Sequence, residues 1–68
     1  MRWEEVQKAW ENFLRQVEAY EETLQESLRE ALEEKDLPRS FALRQEQKIL
    51  IKLRTQLRKV QALMESLS

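Results

Sequence analysis

A single proline, Pro38, is the only strong helix breaker in this 68-residue chain, which contains no glycine. Tight turns and left-handed backbone positions normally draw on glycine, so few architectures remain open to such a chain. On either side of the break the apolar residues recur at helical spacing. In the first segment they fall at Trp3, Val6, Trp10, Phe13, Val17, Tyr20 and Leu24, alternately three and four apart. In the second, Leu50, Leu53, Leu57, Val60, Met64 and Leu67 repeat in the same way, and Leu43 extends the register backwards. A 3,4 alternation keeps one stripe of an α-helix apolar. The expected fold is all-α: an antiparallel two-helix hairpin, coiled-coil-like, forming one domain over residues 1–68. Helix 1 is expected over about 2–35, the turn over 36–39 and helix 2 over about 40–67. The helices would be roughly 48 and 42 Å long at 1.5 Å per residue.

Details around the break support this reading. The first repeat meets Ser27 and Ala31, while Leu28 and Leu32 carry the apolar face onward one position round. Proline in a helix interior costs about 3 kcal/mol and disfavours helix in the residue before it, which stops the first helix near Lys35. Asp36 or Ser40 can cap the second helix, with Ser40 reading best as a cap, and Pro38 is tolerated in a first turn. So short a link makes the helices antiparallel neighbours, with Leu37 and Phe41 placed to plug the closed end.

In heptad letters, with Trp3 and Leu50 at a, the flanking apolar residues widen both stripes. Leu14 and Leu28 fall at e, Ala9 at g, and Ile49 and Leu63 at g. Such faces exceed a two-stranded seam. Large groups such as Trp3, Trp10 and Phe13 each contribute on the order of 1.5–3 kcal/mol when buried, and a lone hairpin would leave several in water. The chain is therefore expected to associate, either as a homodimeric four-helix bundle or by docking on a helical protein partner. The core or oligomer interface would comprise Trp3, Val6, Trp10, Phe13, Leu14, Val17, Tyr20, Leu24, Leu28, Phe41, Ile49, Leu50, Leu53, Leu57, Val60, Leu63 and Met64. Without cysteine or histidine, disulfides and ordinary zinc sites are unavailable to stabilise so small a core.

Charge divides at the same break. Residues 1–36 hold eleven acids and five bases; residues 37–68 hold seven bases and two acids. Glu18, Glu22, Glu26, Glu30 and Glu34 form an acidic ladder, and Arg44, Lys48 and Lys52 a basic one. Glu4–Lys8 and Glu11–Arg15 are i,i+4 pairs worth about 0.2–0.5 kcal/mol each. Most charges lie at b, c or f, with Arg54 at e, so they read as solvated outer faces or as a label that selects a neighbouring helix. Arg44, Lys48, Lys52, Arg58 and Lys59 form the candidate charged partner surface.

Chemistry finds little support. No histidine is present to activate a serine, no glycine to build a phosphate loop, and the abundant carboxylates sit on a scaffold without a cleft. No enzyme activity, cofactor, metal or small-molecule substrate is expected. The aromatics at Trp3, Trp10, Phe13 and Tyr20 fit a core better than a ligand-stacking strip. Met1-Arg2-Trp3-Glu4-Glu5 turns acidic at once, so no secretory leader is expected. The longest apolar run, Ile49-Leu50-Ile51, is too short to span a bilayer. A cytoplasmic location without membrane association follows as the expectation.

The stretch Leu37-Pro38-Arg39-Ser40-Phe41, followed by Gln45-Glu46-Gln47-Lys48 and Leu50, resembles the turn and second-helix start of the small type III secretion needle co-chaperones. The resemblance covers about fifteen residues. It implies a cytoplasmic heterodimer in which the hairpin packs on a helical-repeat chaperone and holds the needle subunit soluble. The sequence departs from that family in its tryptophan-bearing first helix and its leucine- and arginine-rich second helix. A dimeric hairpin also resembles, in topology, the RNA binders of the Rop type, which implies the basic strip of helix 2 as a nucleic-acid surface. The neighbouring acids oppose a phosphate backbone and rank this alternative last.

Overall fold

The computed structural model describes residues 2–67; Met1, with which the leader argument begins, lies outside them. Two helices, α1 (Trp3–Glu33) and α2 (Leu37–Leu67), pack side by side as an antiparallel hairpin. Each has 31 residues, and the molecule measures 50 × 17 × 13 Å. Its proportions are those of a two-helix layer, one helix diameter thick.

α1 starts without a side-chain cap. Instead Glu4 and Glu5 occupy its first turn, where carboxylates favour the positive end of the helix dipole. The Arg2 guanidinium lies 3.0 Å from Glu5. The other end is closed by backbone. Lys35 adopts φ 56°, the left-handed conformation usually given to glycine. This lets the Asp36 N–H donate to the Ala31 carbonyl at 2.9 Å and the Lys35 N–H to the Leu32 carbonyl at 3.2 Å. Those two bonds form a Schellman motif and satisfy carbonyls that a helix end otherwise leaves open.

The turn falls at residues 34–36, earlier than the expected 36–39, and α2 begins at Leu37 rather than near residue 40. Proline lacks an N–H, but N–H groups in a first turn have no intrahelical acceptor, so Pro38 fits inside α2 without a lost bond. Asp36 is the cap: its Oδ1 accepts from the Arg39 N–H at 3.2 Å. Ser40 belongs to the helix interior. Its Oγ donates to the Asp36 carbonyl at 2.8 Å and its side chain is buried.

Ser40 and Ala31 close the hairpin end, both buried, Ala31 completely. Two small residues there let the backbones approach closely just beside the turn. Leu37 and Phe41, placed to plug this end, stand in solvent instead, 72% and 67% exposed. The close approach of Ala31 and Ser40 leaves no gap for either to fill. Arg39 bridges the turn, 3.5 Å from Glu34 and 4.0 Å from Glu30.

Candidate interaction surface

The seam between α1 and α2 runs along positions a and e, not a and d. In α1 the buried and half-buried side chains are Trp3, Gln7, Trp10, Leu14, Val17, Glu21, Leu24, Leu28 and Ala31, joined by Ser27. In α2 they are Ser40, Leu43, Gln47, Leu50, Arg54, Leu57 and Met64. The two rows lie at about 0° and 40° on a helical wheel of 100° per residue. Row d then falls about 80° away from the seam centre, on one flank of each helix.

The residues that occupy row d are the large apolar groups of the sequence repeat. Val6, Phe13 and Tyr20 in α1, and Leu53, Val60 and Leu67 in α2, all remain exposed, between 37% and 68%. Because the helices run antiparallel, the two d rows open onto the same side of the layer. Tyr20 demonstrates this. It lines a shallow groove with Glu46, Ile49, Leu50 and Leu53, and its phenol donates to Glu46 Oε2 across the hairpin at 3.3 Å. Ile49 and Leu63, at g, are 67% and 61% exposed and widen the same face. Phe13 also touches the seam, its ring centroid 5.9 Å from that of Trp10.

The seam itself is unusually polar for the amount of apolar surface left outside it. Gln7, Gln47, Glu21 and Arg54 share it with the leucines. The Arg54 guanidinium pairs with the Glu21 carboxylate, both e residues, from opposite helices. Glu21 is a residue the apolar pattern passes over. The signal for it lies in the charges: in an antiparallel pair, e faces e, and Glu21 and Arg54 are opposite in sign. The indole N–H groups of Trp3 and Trp10 are buried without an acceptor among the described residues. An unsatisfied buried donor costs about 1–3 kcal/mol. Tyr20 has its acid strength lowered: loss of solvent, then the Glu46 charge, then the hydrogen bond to Glu46 raise its pKa above the ordinary tyrosine value.

The opposite side of the layer has a different character. Row b there presents Glu4, Glu11 and Glu18 from α1, and Arg44, Arg58 and Glu65 from α2. The shallow depressions on this side are rimmed by Glu18, Arg58 and Gln61, and by Glu11, Gln61 and Glu65. Leu32, Leu37 and Ile51 are the apolar exceptions in this row, 45%, 72% and 65% exposed. Phe41 falls at f, on the outer side of α2, apart from the apolar face. The five bases Arg44, Lys48, Lys52, Arg58 and Lys59 are all exposed, and none makes an ion pair among the described residues. They do not converge: they wind from b through f to c around α2.

Among the described residues no group of three carboxylates comes together as a metal site, and no helix is long and apolar enough to cross a membrane. No family model matches the chain, and neither a curated protein nor a solved structure resembles it at a significant level.

Proposed function

We propose that this chain is a non-enzymatic protein–protein interaction module, a small helical adaptor or assembly subunit that works through its apolar d/g face. One observation carries the reading. Val6, Phe13, Tyr20, Leu53 and Val60 stay exposed together on one side, while Gln7, Gln47, Glu21 and Arg54 take half-buried places in the seam. A hairpin that had only itself to stabilise would turn the large apolar groups inward and the glutamines out. Contiguous exposed apolar surface rimmed by polar residues marks interaction sites. Its occupant is a pair of helices, from a second copy or from a helical partner such as the co-chaperone resemblance implies.

The test is the solution mass of the purified chain with its thermal unfolding followed at several concentrations. Association predicts a mass above the 8.3 kDa of one chain and a Tm that rises with concentration. A co-chaperone would instead be poorly folded alone and rescued by a co-expressed partner. A cooperatively folded, monodisperse monomer at micromolar concentration would sink both forms. The exposed, unpaired state of Arg44, Lys48, Lys52, Arg58 and Lys59 supports a second reading, an RNA-binding helical dimer. Its binding would fall steeply with salt and weaken when Lys48 and Lys52 become Glu; RNA binding indifferent to both would dismiss it.

A further inference from the structure

We infer that the apolar face is covered by a second copy of this chain, in a four-helix bundle whose two turns lie at the same end and in which α1 of each copy lies against α2 of the other. The inference rests on the interaction-module reading and adds its partner and geometry. Two observations select them.

The first is where the apolar groups sit along the face. Starting from the open end, row d in α1 reads Val6, Phe13, Tyr20, then Ser27, continued by the C-cap Glu34; in α2 it reads Leu67, Val60, Leu53, then Glu46 and Arg39. The cross-hairpin contacts fix the levels. Tyr20 lies with Leu53 and Glu46, and Trp10 with Gln61 and Met64, which sets Phe13 level with Val60 and Val6 level with Leu67. Three apolar levels at the open end are followed by two polar levels toward the turn, where Glu34 and Arg39 are ion-paired. A two-fold axis parallel to the helices lays each level on its own counterpart, apolar on apolar and polar on polar. A two-fold axis across the helices, acting on fully overlapped hairpins, would press Phe13 and Val60 onto Ser27 and Glu46, and Val6 and Leu67 onto Glu34 and Arg39.

The second is charge. In an isologous pair of layers the axis decides which helices meet. The parallel axis brings the acidic α1 against the basic α2 of the other copy, on both sides of the bundle. The transverse axis brings α1 against α1 and α2 against α2. On the rows that flank the face, g and c, α1 carries Glu5, Glu26, Glu30 and Glu33 and α2 carries Lys52 and Lys59, so the transverse arrangement sets like against like along both flanks. Rim charges of this kind contribute more to orientation than to affinity, and like-charge juxtaposition disfavours the wrong arrangement. The area is adequate as well: the whole hairpin layer measures 50 by 17 Å, so a second copy laid along its full length covers an area in the range of the ~800 Å² per partner of a standard interface.

The experiment is a distance measurement between copies. The chain has no native cysteine, so a spin label can be attached at Leu37→Cys in the turn, an exposed site off the apolar face. Ser66→Cys at the open end serves as an independent second site. Pulsed electron resonance on each assembled variant, with helicity checked by circular dichroism, should give one distance below about 35 Å at both sites, from helix spacings of 8–10 Å plus two label arms. Distances near or beyond the 50 Å length of the hairpin at both sites would overturn the arrangement while leaving the interaction module standing. Absence of any inter-label distance in folded protein would overturn the second copy as occupant. A folded monomer by mass would remove the module reading as well.

Discussion

Phe13 offers a quantitative test of the apolar face, and Ile51 supplies its control. In the hairpin Phe13 is 45% exposed. Full burial of such a side chain contributes about 1.5–3 kcal/mol, so covering the remaining surface adds about 0.7–1.4 kcal/mol. In a symmetric pair the residue occurs twice. Phe13→Ala therefore removes about 1.4–2.8 kcal/mol of association energy, a ten- to hundredfold rise in Kd. Ile51 is larger in exposed fraction, 65%, and as apolar as Phe13, but lies on the charged side. Ile51→Ala should leave Kd within about twofold, since surface substitutions away from such a feature stay within about 0.5 kcal/mol. Sedimentation velocity over a dilution series reads both constants. Because Phe13 also touches Trp10, the monomer's own stability needs a separate denaturant titration at the lowest concentration. Equal effects of the two substitutions on Kd, or none from Phe13→Ala, would refute the assignment of the face.

Other consequences concern the hairpin itself. Lys35 holds a left-handed conformation that costs an L-residue roughly 1–2 kcal/mol; Lys35→Gly should therefore raise stability by up to about 1 kcal/mol after the entropy of a new glycine is deducted, read from the urea midpoint. Trp10→Ala should cost a few kcal/mol through the cavity it leaves, whereas Trp10→Phe, which also deletes an indole N–H buried without an acceptor, should cost markedly less in the same titration. Tyr20, the sole tyrosine, should ionise at higher pH in the folded chain than in urea, because solvent loss and Glu46 favour the neutral phenol. Since the folded pKa is the raised one, its contribution is intact below the ordinary tyrosine pKa of about 10 and fades as pH climbs through the folded value. Glu46→Gln should bring the phenolate absorbance transition back down.

Two helices, their length and their antiparallel order were legible because the 3,4 repeat and Pro38 each carry a direct steric or periodic meaning. The turn was legible only to within a few residues. Nothing in the composition announces that Lys35 will take the left-handed position in place of a glycine, and once it does, the Schellman bonds draw Asp36 into the capping role and push Ser40 into the helix. Which part of the stripe forms the seam was not legible either. A face spanning a, d and e can meet its neighbour along a/d or a/e, and the apolar residues alone do not choose. The choice is made by Ala31 and Ser40, whose small size fits the tight end of the hairpin, and by the Glu21–Arg54 pair, both on the a/e side. Given that choice, Val6, Phe13, Tyr20, Leu53 and Val60 are left as a surface rather than a core.

The central claim, that this surface exists to be covered by other helices, meets its most direct test in the molar mass of the folded chain by light scattering from micromolar concentration upward. The account predicts a species of roughly twice 8.3 kDa that dissociates on dilution and melts at a lower temperature as it does so. A single folded species with the mass of one chain, melting cooperatively at a temperature independent of concentration, would contradict it.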